Sequence, residues 1–221
     1  MDNIPGIVVD NFYSDPDGVR NWALQHEFAR EEQGAWPGKR TRELDIIDPI
    51  FHQQFINKIF SLFMPVQEDI TAKVQSMFQI IPTFESDSNS PKNKGWIHED
   101  DGVLFAGVIF LTPNIDRKCG TSLFTLEDEN KLDWSDAKNN FYVNGIDTDY
   151  DNAITAHNSA FDESVRFQNL YNRCIIFDHK CYHGVNSFYN SQDQDRLTQV
   201  FFVHSVDTDI LPPIARHKNF L

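Results

Sequence analysis

The hydrophobic period of this chain changes near residue 80. Before that point apolar residues recur at helical spacing, and after it they gather in short runs between turns. Ile7, Val8 and Val9 read as a short strand. Ser14, Asp15, Pro16 and Asp17 then supply a capping oxygen, a first-turn proline and early carboxylates, so a helix is expected to run to about Phe28. Residues 36–41 (WPGKRT) read as a turn. Over residues 49–80, Ile50, Phe51, Phe55, Ile59, Phe60 and Phe63, then Ile70, Val74, Met77 and Phe78, keep a helical spacing. Pro65 divides this stretch into two expected helices.

Beyond Ile81 short strands are expected at 78–84, 95–100, 104–111, 121–126, 174–178 and 197–204. Residues 87–94 (DSNSPKNK) form a polar loop, and residues 127–172 are long, acidic and weakly periodic. A stretch of that length inside one domain is uncommon and reads as a functional excursion such as a substrate lid. Helices first and short antiparallel strands after predict an α+β, mainly β protein built around a jelly roll or barrel. A length of 221 residues suits one domain. The expected layout is a single domain over 1–221. It has a helical layer at 1–80, a β core at 81–206 interrupted by the insertion 127–172, and a tail at 207–221.

Composition narrows the partners. The chain carries 33 Asp and Glu against 19 Lys and Arg, a net charge of -14. That balance argues against a nucleic-acid backbone or an anionic membrane surface, because both need clustered cations. An apolar content of 40% and nineteen Phe supply material for a sheet core. Cys119, Cys174 and Cys181 make an odd set at irregular spacing, which is neither a disulfide framework nor a CxxC zinc site. The first ten residues lack a basic and apolar leader, and no run approaches the ~18 apolar residues of a spanning helix. The expectation is a reduced, soluble, cytoplasmic protein; nothing here indicates its oligomeric state.

Two histidine-bearing segments and an arginine carry the chemistry. In WIHEDD, His98 and Asp100 stand two apart, so on a strand they face one way and Glu99 the other. In CYHGV, His183 sits beyond the apolar run Ile175, Ile176 and Phe177. Two imidazoles and one carboxylate form the facial triad of non-haem iron(II) oxygenases, with open positions for other ligands. Asp101 and His179 compete for the same roles; Asp101 would point away on a strand, and Cys181 is too soft a ligand for this chemistry. Arg196 opens the run RLTQVFFV thirteen residues after His183. Its planar fork suits a carboxylate, and Thr198 on the same strand face offers a second hydrogen bond.

These segments resemble the iron(II)/2-oxoglutarate oxygenases of the prolyl-hydroxylase-like branch. WIHEDD, GVIFLTP, CGTSLF, RCIIF with YHGV, and RLTQVFF follow that family's strand order over roughly residues 78–206. The opening IPGIVVDNFYSDPDGVRNWA with WPGKRTR looks like an uncharacterised phage- or bacterium-associated subgroup. The resemblance implies a double-stranded β-helix (cupin-like) core with the N-terminal helices packed on one sheet. It implies His98, Asp100 and His183 as iron(II) ligands and catalytic centre, and Arg196 as partner of the distal carboxylate of 2-oxoglutarate, the co-substrate. Thr198 falls where the family often has an assisting hydroxyl. Phe110 falls where it often has a Tyr touching 2-oxoglutarate, so that hydrogen bond is missing. The spacing from His183 to Arg196 is also longer than usual. The activity implied consumes O2 and hydroxylates a peptidyl or amino-acid side chain or a small molecule, releasing succinate and carbon dioxide. Rival readings are a cupin-like metalloenzyme that does not use 2-oxoglutarate, and a non-catalytic jelly-roll binding module. Arg40 and Arg42 are open candidates for an anionic substrate group.

Overall fold

The structure, a computed structural model, describes residues 6–62, 70–133, 136–192 and 194–207. Strand β1 (Ile7–Val9) leads into helix α1 (Pro16–Ala23), whose cap Asp15 accepts from the Gly18 N–H. Strand β2 (Lys39–Arg40) follows, then helices α2 (Leu44–Ile47) and α3 (Pro49–Ser61). Asp48 starts α3 in the same way, accepting from Ile50 and Phe51 ahead of Pro49 at the first turn. The chain continues through β3 (Thr71–Ile81), β4 (Phe105–Phe110) and β5 (Thr121–Leu126). Helices α4 (Ala137–Tyr142) and α5 (Tyr150–Asn158) come next. Strands β6 (Phe161–Phe167), β7 (Cys174–Asp178), β8 (Tyr182–Val185) and β9 (Arg196–Asp207) complete it.

The strands form two antiparallel sheets, one ordered β1-β7-β4-β9-β3-β2 and one ordered β6-β5-β8. The large sheet is buried on both faces, and period-two alternation sorts its side chains. Leu197, Phe201 and Val203 of β9, Phe105 and Ile109 of β4, and Cys174 and Ile176 of β7 face Leu44, Phe55, Ile59 and Phe60 of the helices. Phe55 meets Phe201 edge-on at 5.2 Å. Each fully buried Phe of this layer contributes roughly 1.5–3 kcal/mol. Ala106, Ile175 and Phe177 turn the opposite way, toward Leu123 and Phe167 of the small sheet. The helical layer thus supports a sheet whose other face is left for a cavity.

Several expectations need correction. Residues 71–81 are a strand, not a second helix. Both faces of β3 are covered, so Ser76, Met77, Phe78 and Gln79 are all buried, and the resulting spacing of apolar residues mimics a helical one. Phe63 and Pro65 lie outside the described residues. Helix α1 stops at Ala23, short of Phe28. The turn over 36–41 closes at Gly38 (φ +74°), and Lys39 and Arg40 already pair with Ile80 and Gln79. Segment 95–100 is not a ladder strand: it has one isolated bridge, His98 to His183, flanked by single backbone bonds to Val185 and His179. The insertion 127–172 is structured: Tyr142 of α4 and Tyr150 and Ile154 of α5 pack with Trp96, and the two tyrosine hydroxyls meet at 2.8 Å.

Candidate active site

A cavity of about 1360 Å³ opens between the two sheets, with Met77, Val108, Val200 and Phe202 on the large-sheet side and Thr121 and His183 opposite. Segment 95–100 runs along the free edge of β8. Gly95 N–H donates to Val185 O at 2.9 Å, His98 and His183 exchange N–H···O bonds of 3.0 and 2.9 Å, and Asp100 N–H donates to His179 O at 3.2 Å. A bonded antiparallel pair sends both side chains to one face, so the imidazoles lie side by side with ring centroids 4.4 Å apart. Asp100, two residues on, shares that face.

The Asp100 carboxylate spans both rings. Its Oδ1 is 3.7 Å from His98 Nε2 and its Oδ2 is 3.5 Å from His183 Nε2. The ligand atoms of the three residues all lie within 4.8 Å of one another. His98 Nδ1 is 2.8 Å from Trp96 O and His183 Nδ1 is 3.0 Å from Cys181 O. A carbonyl only accepts, so each Nδ1 carries the proton and each Nε2 lone pair is free. Burial, then the neighbouring His183 and Lys138, hold the His98 imidazole well below the ordinary histidine range. It therefore stays neutral at pH 7, as a metal ligand must. Phe177 packs on the His183 ring at 4.4 Å.

The competing residues stand elsewhere. His179 Nδ1 lies 3.1 Å from Leu104 O and 3.3 Å from the Asp178 carboxylate. Asp101 is exposed at the cavity mouth. Among the described residues neither they nor Cys181 joins the His98, Asp100 and His183 group.

Arg196 lines the same cavity and is only 2% exposed. Its Nε donates to Cys119 O at 3.1 Å, and its guanidinium lies 5.4 Å from the Phe110 ring centre. Nη2 is buried without a partner, and burial pulls the group down to about 10. A buried cation with an unsatisfied donor facing a cavity is costly until an anion arrives. The Thr121 hydroxyl, also buried and unpartnered, belongs to the same wall. This pair of orphaned donors fits one end of a dicarboxylate, and the His98, Asp100 and His183 set fits iron(II).

Thr198 and Phe110 do not form that wall. The Thr198 hydroxyl is 3.5 Å from Gln79 O, and Phe110 serves as the platform under the guanidinium. Thr121 escapes a sequence reading because its place depends on register: Thr121 pairs with Val185 and Leu123 with His183 across β5 and β8. Gly120 makes this corner possible, since a Cβ there would lie 1.9 Å from Phe167 O. Gly120→Ala is expected to cost about 1–3 kcal/mol, read as a lower urea midpoint, through the forced shift of Cys119 and Thr121.

The same fold occurs in solved structures. EvdO2 from Micromonospora carbonacea var. aurantiaca is 11% identical with a TM-score of 0.55, over 94% of this chain and 89% of that one. A prolyl hydroxylase from Trichoplax adhaerens, solved with a hypoxia inducible factor peptide fragment, is 12% identical with a TM-score of 0.52, over 90% of this chain and 83% of that one. HygX from Streptomyces hygroscopicus, solved with nickel and 2-oxoglutarate bound, is 10% identical with a TM-score of 0.51, over 90% of this chain and 82% of that one. At such identities the likeness is one of fold: a mostly antiparallel sheet protein with added helices. The chain itself belongs to a family of unknown function, DUF6445, whose model matches residues 1–203. No curated protein matches it.

Proposed function

We propose that this chain is an iron(II)- and 2-oxoglutarate-dependent oxygenase on a double-stranded β-helix core, hydroxylating an amino-acid side chain or a small molecule. The observation that carries this reading is convergence. One cavity holds three side chains with metal-ligand geometry and a buried guanidinium with an unpartnered nitrogen.

His98, Asp100 and His183 would hold iron(II), which when bound supplies the chemistry that joins O2 to decarboxylation of 2-oxoglutarate and oxidation of substrate. The chain's own part is positioning. The two Nδ1–H···O bonds fix both imidazole planes, so Nε2 of each is aimed before the metal arrives. Arg196 and Thr121 grip the far carboxylate of 2-oxoglutarate, and Cys119 O and the Phe110 face keep the guanidinium from swinging out. Trp96, Tyr142 and Tyr150 close one side with the α4 and α5 insertion and keep bulk water out. Retention of Asp100 as a carboxylate favours hydroxylation over halogenation. Cys119, Cys174 and Cys181 are not joined in disulfides, which suits a reducing compartment such as the cytoplasm. No helix among the described residues is long and apolar enough to cross a membrane.

A cupin-like enzyme without 2-oxoglutarate would have no use for a buried Arg196 in the metal cavity, and a silent binding module none for the His98, Asp100 and His183 group. The test is succinate formation from 2-oxoglutarate with iron(II) and ascorbate, beside calorimetric titration of 2-oxoglutarate into the manganese(II)-loaded protein. Turnover and binding are both expected in the wild type. Absence of both succinate and binding in folded protein would reject the proposal.

A further inference from the structure

The cavity carries more positive charge than a metal and one dicarboxylate require. Arg40 stands on β2, opposite Gln79 of β3, and lines the cavity with Lys138 of the insertion helix α4. The Arg40 guanidinium is sandwiched, with its carbon 4.1 Å from the Trp36 ring centre and 5.9 Å from that of Phe202. Its Nε is buried with no hydrogen-bond partner. Among the described residues no ion pair holds Arg40 or Lys138.

The other charges of the cavity do not account for them. Arg30 is spent on the Gly38 and Gly34 carbonyls at 3.0 and 3.3 Å. Glu27, Glu31 and Asp101 are exposed at the mouth, as is Arg42, and Glu43 accepts from Gln75 at 2.6 Å. Asp100 is the remaining inner carboxylate, and its charge is committed to the metal in the function proposed above. Two half-buried cations are therefore left without an ion-pair partner in the cavity of a protein whose net charge is -14. Burial lowers both groups, Arg40 to about 10, and wins over the opposing pull of Glu31 and then Asp100 at Arg40 and of Asp100 at Lys138. Holding them there costs stability, which is characteristic of a site built for a ligand.

We infer that Arg40, assisted by Lys138, is the receptor for an anionic group of the organic substrate, so that the substrate class is a carboxylic acid or phosphate ester with an apolar body. The apolar body follows from the walls: Met77, Val108, Trp96 and Phe202. The stacked guanidinium is pre-oriented, so little side-chain freedom is lost on binding. A cavity of about 1360 Å³ also exceeds the ~300–1,000 Å³ of ordinary small-molecule sites, leaving room for such a body beside the co-substrate. This inference rests on the oxygenase reading for its geometry, with Arg196 serving one anion and Arg40 the other.

The test uses model anions and a binding readout. 4-Phenylbutyrate, phenyl phosphate and the uncharged 4-phenylbutyramide are titrated calorimetrically into protein holding manganese(II) and 2-oxoglutarate. The better anion is expected to bind at least about tenfold more tightly than the amide. That gap should vanish in Arg40→Gln and narrow in Lys138→Gln. Whichever anion shows the larger Arg40-dependent gap identifies the substrate group as carboxylate or phosphate. Arg40→Gln should melt no lower than the wild type; if it fails to fold, Arg40→Lys, which keeps charge but loses the fork, should retain only part of the gap. Equal binding of anion and amide to the wild type, or a gap that survives in Arg40→Gln, overturns the inference. Failure of the oxygenase reading shows separately, as loss of 2-oxoglutarate binding by the wild type with the Arg40-dependent gap intact.

Discussion

Asp100→Ala is expected to lower both iron(II) affinity and succinate formation by at least about a hundredfold, the upper end of what loss of a mere supporting partner costs. The reason is charge. Asp100 is the one anionic member of the group, and its two oxygens reach toward His98 Nε2 and His183 Nε2 at 3.7 and 3.5 Å. Without it, two neutral imidazoles 4.4 Å apart must strip water from a divalent ion with no negative charge to offset the loss. The fold should survive, because Asp100 is tied in by its backbone N–H to His179 O rather than by its side chain. Its thermal midpoint without metal is therefore expected to stay close to the wild type, within about 1 kcal/mol. Glu99→Ala is the matching control. Glu99 alternates to the other side of the same segment and is exposed, so metal binding and turnover should both hold. Iron(II) titration under anaerobic conditions and a succinate assay read the comparison. Wild-type behaviour of Asp100→Ala in both would remove the ligand set.

What the amino-acid order revealed follows from how local each feature is. His98 and Asp100 share a face through a two-residue period, and that is readable in six letters. The burial of Arg196 was readable in part, because it heads an apolar run. Thr121 was not, since its place depends on pairing with Val185, more than sixty positions away. The same limit explains β3, where the helices on one face and the cavity on the other favour apolar residues at adjacent positions. It also explains α4 and α5, which are short, polar outside, and held by an aromatic cluster of Phe141, Tyr142, Tyr150 and Trp96. Arg40 was visible only as a cation in a turn. Its stacking between Trp36 and Phe202 joins segments 162 residues apart. Local alternation thus exposed the His98, Asp100 and His183 group, while the surroundings of Thr121 and Arg40 needed register and packing.

Arg196→Leu should raise the dissociation constant for 2-oxoglutarate by about thirtyfold or more, since removing one member of a buried charge pair costs roughly 2–5 kcal/mol. The readout that separates this from simple damage is thermal. In the manganese(II)-loaded wild type, 2-oxoglutarate at a hundred times its dissociation constant adds about 2.7 kcal/mol of stability by mass action. The variant should lose that increment. Its melting point without co-substrate should equal or exceed the wild type, because the guanidinium is fully desolvated with Nη2 unpartnered. Given up in return are the bond to Cys119 O, about 1 kcal/mol, and the cation–π contact with Phe110, whose ring the leucine still covers. Arg196→Lys should not rescue binding. An ammonium at the end of a flexible stem cannot donate to Cys119 O and grip a carboxylate with a planar fork at once. Iron(II) affinity should be unchanged in both variants, since Arg196 is absent from the His98, Asp100 and His183 group. Wild-type 2-oxoglutarate affinity in Arg196→Leu would move the carboxylate elsewhere in the cavity, and Arg40 would then be the next cation to test.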